Sequence, residues 1–259
     1  MNSNVKTHVA NAIKKGFRLD GRKNDEFRKI SFEVGSIFTA EGSAKIIAGE
    51  SELLVGVKLT AGTPFPDTPD DGVLMVNCEL RPLASPHFEE GPPSIDSIET
   101  SRVIDRGIRE SGSLDTKSLC IKKGELVWMV QVDIVPLNAD GNLIDLGAIA
   151  SLAALRVTRF PKLENGKVVF GELTDEKLKL SEFPIPVTVH KIGNNLIVDP
   201  TEAEEQASDA RITITTLDDK RVCAMQKGGD QPFSEEELKK ALDLAFSKAK
   251  DLRAQIAAL

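Results

Sequence analysis

Ser43-Ala-Lys-Ile-Ile-Ala48 and Glu52-Leu-Leu-Val-Gly-Val-Lys-Leu59, parted only by Gly49-Glu50-Ser51, form the stretch on which the fold turns. Both runs are β-prone, and three residues opened by a glycine have the length and chemistry of a tight hairpin. A third strand is expected over residues 73–80. Residues 61–72 hold Gly62, Pro64, Pro66 and Pro69, and residues 81–93 hold Pro82, Pro86, Gly91, Pro92 and Pro93. Both stretches read as surface loops, because proline removes a backbone donor and fixes φ.

Outward from this hairpin the pattern alternates. Residues 94–111 read as a helix of about five turns, with Gly112 placed to end it. Residues 125–135 are rich in Val, Trp and Ile and read as a strand ended by Pro136. Residues 144–157 are apolar or small almost all round, which predicts a helix buried on most faces and ended at Phe160-Pro161. Asn165-Gly166, Gly193-Asn194-Asn195 and Asp218-Asp219 mark turns among further β-prone runs, at 187–192, 196–198, 211–216 and 221–225, which predict a second antiparallel sheet. Ser234 with Glu237 is a capping box, and Leu238, Leu242, Ala245, Ala249, Leu252 and Ile256 then set one stripe of a terminal helix. Val5, Val9 and Ala12 or Ile13 give a short amphipathic helix before Gly16. The sum is an α+β protein with a weak two-fold echo. We read it as a single domain over 1–259, with a helical extension at about 1–16, a core at about 17–225 and a C-terminal helix at about 234–258.

Composition narrows the class. The chain has 259 residues, 40 acidic against 33 basic, and 41% apolar content, as in ordinary globular proteins. No run approaches the roughly 20 apolar residues of a membrane helix, and residues 1–15 lack the apolar block of a signal peptide. A soluble cytoplasmic protein without membrane contact is expected. Cys78, Cys120 and Cys223 sit in apolar neighbourhoods and read as reduced core residues; His8, His87 and His190 are scattered, so neither a metal site nor a cofactor is expected. The net charge of −7 means that any polyanion must find a local basic patch.

The helix at 94–111 supplies one. Taking Ile95 as zero, Arg102, Arg106 and Arg109 fall within an arc of about 60° at about 100° per residue. Ser97, Thr100, Ser101, Ile104, Gly107, Ile108 and Ser111 lie opposite, mostly small enough to let the helix sit close on a sheet. Two readings stand for the arginines: a solvated face paired with Asp105, Glu110 or Glu99, or a phosphate-binding or partner-binding face, which three guanidinium forks suit.

Arg18-Leu-Asp-Gly-Arg22 with Glu26 and Arg28, Gly42-Ser-Ala-Lys-Ile and Gly49-Glu-Ser-Glu-Leu-Leu-Val together resemble the RNase PH family of phosphorolytic exoribonucleases. Pro82-Leu-Ala-Ser-Pro-His-Phe-Glu-Glu-Gly91, Ile104-Asp-Arg-Gly-Ile-Arg-Glu-Ser111, Leu119-Cys-Ile121, Val127-Trp128 and Asp140-Gly-Asn-Leu-Ile-Asp145 are similar to one branch of it, the non-catalytic RNase PH-type subunit of the archaeal exosome ring. The resemblance implies the RNase PH fold, pseudo-duplicated mixed sheets packed with helices. It implies as partners a catalytic RNase PH-type subunit, in three heterodimers forming a hexameric ring, RNA-binding cap proteins, and single-stranded RNA. It also favours RNA contact for Arg102, Arg106 and Arg109.

The same resemblance exposes what is missing. Phosphorolysis needs a phosphate held by backbone N–H groups at a helix start plus a hydroxyl and a cation. Active members place Gly-Ser/Thr-Arg there, whereas this chain has Asn142-Leu143-Ile144, with Asp145 adding a repelling charge. The family's two aspartates six residues apart align with Ala203 and Asp209, and a methyl group transfers no proton. No catalytic residue is therefore assigned. The expected function is a non-catalytic subunit that orders the partner's active site and helps bind RNA. The alternatives are an autonomous phosphorolytic 3'-to-5' exoribonuclease and a solitary module whose arginines bind an acidic protein. Arg18, Asp20 and Arg22 read as an internal ion-pair cluster, Asp209 as a structural carboxylate, and Trp128 as core.

Overall fold

The computed structural model describes residues 3–259; Met1, Asn2 and the side chain of Val5, part of the expected N-terminal stripe, lie outside the described residues. Helix α1 (Ser3–Lys14) buries Val9, Ala12 and Ile13, and the hairpin follows as β2 (Gly42–Ala48) and β3 (Ser51–Gly62), with β1 (Ile30–Val34) added on its outer edge. Strict alternation of buried and half-buried residues along β3 is the period-2 pattern of a sheet with one face on the core. Strand β4 (Val73–Cys78) runs parallel to β6 (Leu126–Asn138), which pairs antiparallel with β3 and with the short β5 (Cys120–Lys122). The first sheet is therefore ordered β1-β2-β3-β6-β4, with β5 on β6.

Two expected ends are corrected. Pro136 does not stop β6, which continues to Asn138; the register shifts between Glu52 and Leu53, opposite Pro136, and that irregularity absorbs the missing N–H. Phe160-Pro161 does not end the buried helix, which spans α3 (Leu143–Val157) and closes at Thr158. The chain passes directly into a ribbon of β7 (Arg159–Glu164) and β8 (Lys167–Lys177), whose register shifts on both sides of Pro161. Asn165-Gly166 turns this ribbon, which is separate from the second sheet. That second sheet, ordered β10-β9-β11-β12, is antiparallel throughout: β9 (Ile185–Ile192), β10 (Asn195–Val198), β11 (Ala210–Thr216) and β12 (Val222–Gly229).

Helix α3 lies between the sheets, buried from Asp145 to Leu155, and joins both halves in one apolar core. Helix α2 (Ile95–Glu110) packs on β4, β12 and α3, burying Ser97, Thr100, Val103, Ile104, Gly107 and Ile108, so the small-residue face is the core face as expected. At Gly107 a Cβ would stand 3.3 Å from the Thr215 side chain of β11, so any larger residue here would push Thr215 back by a few tenths of an ångström. Helix α5 (Glu235–Ala257) lays the expected stripe on β9 and β11. A short helix without an apolar stripe of its own in the sequence, α4 (Glu202–Ala207), packs against α1 through Val9, Ile13, Ile192, Ile197 and Ala207. Trp128 packs on Phe160 with ring centroids 5.4 Å apart, in the core as expected.

Candidate functional site

The site grows from an ion-pair network that ties the N-terminal segment to the second half of the chain. Arg18, only 2% exposed, sends Nε to Glu204 Oε1 at 2.8 Å and Nη2 to the same carboxylate, and donates to the carbonyls of Val198 and Asp199. Asp199 is the hub. Its Oδ2 accepts from Arg28 N (2.7 Å), Arg28 Nε (3.0 Å) and Arg22 Nη1 (2.8 Å), and its Oδ1 from Arg28 Nη2 (2.8 Å) and Asn142 Nδ2 (2.7 Å). Burial pushes this carboxyl up, but the hydrogen bonds and charge of Arg28, with Arg22, hold it below the usual carboxylate value. The expected cluster of Arg18, Asp20 and Arg22 is present, and it is wider than the sequence indicated.

This network sets the start of α3. Asn142, its N-cap, sits in the left-handed region at φ 57°, and Gly141 before it at φ 80°. A Cβ on Gly141 would stand 2.5 Å from the carbonyl oxygen of Pro200, so the chain passes here only as glycine. The backbone N–H of Asn142 donates to Glu205 Oε1 at 2.7 Å. Thus the helix start at which the resemblance implies a bound phosphate already holds a carboxylate of this chain. Leu143 and Ile144 follow, supplying neither hydroxyl nor cation. Asp145, fully buried, accepts from Thr188 N (2.9 Å) and Thr188 Oγ1 (2.6 Å). Burial raises the Asp145 carboxyl to about 7 against the Thr188 bonds, with the Asp199 and Glu205 charges adding. Burial likewise raises Glu205 to about 7, opposed by the Asn142 N–H and by Arg211 and Arg28.

Leu143, Ile144 and Glu205 line a solvent-open cavity of about 430 Å³ between α2, α3, α4 and the loop that carries His87. The aspartate positions are corrected here. Ala203 packs in the apolar cluster under α1, and Asp209 accepts from Gly193 N (2.8 Å) and pairs with Lys6 at 3.7 Å; neither lines the cavity. Glu205 and Arg211, also six residues apart, both do. The offset of two arises from α4, whose start is visible in retrospect as Thr201-x-x-Glu204, with Glu204 accepting from the Thr201 N–H at 2.9 Å. Arg211 pairs with Glu99 at 2.7 Å, and His87 Nε2 lies 3.6 Å from Glu202. His190, 3% exposed, also lines the cavity, and burial together with Arg211 and Arg18 pushes its imidazole down to about 3, so it is neutral.

The arginine arc exists, but its members differ. Arg109 is clamped by Asp105 through Nε (3.0 Å) and Nη2 (2.7 Å) and also donates to the Leu74 carbonyl at 2.8 Å. Arg106 donates through Nη1 to Gln226 Oε1 of β12 at 2.8 Å, leaving the rest of its fork unbonded among the described residues. Arg102 is exposed and has no hydrogen-bond or ion-pair partner among them. Ile95, 83% exposed, and Ile98 flank it on the same face. No three His, Cys, Asp or Glu side chains among the described residues converge as metal ligands, and none of their helices is long and apolar enough to cross a membrane.

Two mixed or antiparallel sheets sharing a buried central helix, with a cavity at that helix's N-terminus, define the class of RNase PH-fold proteins. The chain belongs to the 3' exoribonuclease family: domain 1 of that family matches residues 26–161 and domain 2 residues 182–248. It is 48% identical over 248 residues to the exosome complex component Rrp42 of Methanosarcina acetivorans, covering 96% of this chain and 91% of that protein. Among solved structures, it superposes with TM-score 0.90 and 42% identity on a chain of the Archaeoglobus fulgidus exosome with RNA bound to the active site, covering 98% of each. A chain of an archaeal exosome core matches with TM-score 0.88 and 40% identity, over 98% and 97%.

Proposed function

We propose that this protein is the non-catalytic RNase PH-type subunit of an archaeal exosome-type 3'-to-5' RNA-degrading complex. It alternates with a catalytic RNase PH-type subunit in a ring of three heterodimers beneath RNA-binding cap proteins, orders that partner's active site and helps bring single-stranded RNA to it. The observation that carries the reading is Glu205 on the Asn142 N–H: an anion of the chain itself takes the place a phosphate needs, beside Leu143 and Ile144. Relatives named as exosome components over nearly the whole chain support the assembly. Residues 1–259 act as one RNase PH-type unit in this reading, and its three free cysteines accord with a cytoplasmic protein.

Arg102, Arg106 and Arg109 carry the RNA contact. Their chemistry is toward phosphates, which positions a strand without reading its bases. Arg102 contributes most, because binding costs it no existing partner; Arg109 contributes least, since Asp105 and Leu74 already hold it. The test measures nucleoside diphosphate release from RNA, with and without inorganic phosphate, by the purified chain and by the chain mixed with a catalytic partner. Release is expected only from the mixture with phosphate, and release by the chain alone would overturn the reading. In the assembled complex, Arg102→Ala should weaken RNA binding about equally for different sequences and reduce the salt slope by roughly 0.7. Light scattering should show the ring intact.

A further inference from the structure

The cavity at the start of α3 has the wrong sign for the anion its fold position suggests. Asp96, Glu99, Glu202 and Glu205 line it, against one guanidinium, Arg211, which Glu99 already holds at 2.7 Å. A second observation is independent of these carboxylates. The Ser208 hydroxyl donates to the Ala210 carbonyl at 2.9 Å, so its oxygen accepts from His190 Nδ1–H at 3.2 Å. That assignment, made from the hydrogen-bond network, places the lone pair on Nε2. Nε2 has no partner among the described residues, is not sealed from solvent, and belongs to a side chain 97% buried in the cavity wall. The cavity thus presents acceptors, on carboxylates and on a neutral imidazole, beside an apolar strip of Leu80, Phe88, Leu143 and Ile144.

We propose that this cavity binds a small organic ammonium ion of the polyamine class. The separate ammonium groups of such a chain reach Glu202, Glu205 and His190 Nε2 one acceptor at a time, so these need not converge on a point, and its methylenes lie along the apolar lining. A bare divalent metal fits less well, since no three ligating side chains converge among the described residues. Phosphate meets an excess of negative charge and an N-terminal N–H already bonded to Glu205. The inference stands apart from the RNA-binding reading, which concerns the outer face of α2.

Isothermal titration of spermidine into the full-length chain, alone and in the assembled complex, tests it. Saturable one-site binding is expected, weakened at least tenfold in Glu202→Gln/Glu205→Gln. Both glutamines keep an acceptor for the bonds the glutamates make within the chain. Glu236→Gln, on the exposed face of α5, should leave affinity within twofold. Since the chain has three histidines, the ¹⁵N signal of His190 Nε2 can be followed directly, and it should move on addition of spermidine. The proposal fails if spermidine does not bind at millimolar concentration, if the double variant binds as well as the parent, or if Mg²⁺ competes equally at equal charge. It also fails if inorganic phosphate moves the His190 signal and spermidine does not.

Discussion

Replacing Asp199 by Asn tests whether the buried network holds the two halves of the chain together. The substitution keeps the shape of the side chain, and asparagine tolerates the left-handed backbone at φ 46°, so no new strain confuses the result. One carboxylate oxygen becomes an amide that faces N–H donors: Oδ2 now accepts three, from Arg28 and Arg22, and Oδ1 two, from Arg28 and Asn142. Either orientation of the new amide sets donor against donor and leaves two buried guanidinium groups with one negative charge fewer. Removing one member of a buried pair costs about 3–5 kcal/mol. At about 2–4 °C per kcal/mol for a chain of this size, the melting temperature should fall by roughly 6–20 °C. Urea unfolding at pH 7 reads the first figure and a thermal scan the second. Asp20→Asn in the same cluster is the control, because its carboxylate is partly exposed and serves only Arg22; it should cost under about 1 kcal/mol. A D199N chain within 1 kcal/mol of the parent, or no more affected than D20N, would refute the reasoning.

Asp145 and Glu205 ionise near 4 in an unfolded chain and near 7 in the folded one. Between those values the folded state keeps protons the unfolded state has released, so stability should fall as pH rises from about 4 to 7 and level off above about 8, by about 4 kcal/mol from Asp145 over the whole range. D145N should flatten that decline in urea titrations across this range, and an unchanged slope would remove Asp145 as its source. Gly141→Ala should cost at least about 2 kcal/mol through φ strain and collision with Pro200, read as a lowered urea midpoint. Leu143→Ser/Ile144→Arg/Arg211→Asp, assembled with an inactivated catalytic partner, should release no measurable nucleoside diphosphate, since Glu205 still occupies the Asn142 N–H; a rate within tenfold of the active partner would contradict this.

Legibility followed the range of the interaction. The β2–β3 hairpin and the stripe of α5 were readable because turn, alternation and capping box are local patterns, each confined to a few residues. Pro136 misled for the opposite reason: whether a proline ends a strand depends on what its missing N–H would have met across the sheet, and Pro161 lies inside β7, beyond a helix that had already closed at Thr158. The arc of Arg102, Arg106 and Arg109 was correct as helical geometry, yet the residue that holds Arg106 is Gln226, 120 positions away. Ala203 and Asp209 follow from aligning residues 209–214 with the family's strand. Glu205 and Arg211 share their spacing, and only the unforeseen α4 decides which pair faces the cavity. Asp199 carries no local sequence signal, because its role is the convergence of Arg18, Arg22, Arg28 and Asn142 from distant segments.

Helix α2 carries both carboxylates that line the cavity and arginines that do not. Asp96, Glu99 and Thr100 line the acidic cavity, while Arg102 is exposed and lies outside it. Glu99 and Arg102 stand only about 60° apart around the helix at about 100° per residue, so what parts them is pairing: Arg211 holds Glu99 at 2.7 Å, while Arg102 has no partner among the described residues. On the proposed reading, a cavity without a phosphate site and arginines that contact RNA are compatible within one element. A carboxylate that would repel RNA phosphates if it stood on the outer face is harmless in the cavity. There Glu205 accepts the Asn142 N–H at the start of α3. On the proposed reading, catalysis can be given up without giving up the RNA path, because the fold never required the two to share a surface.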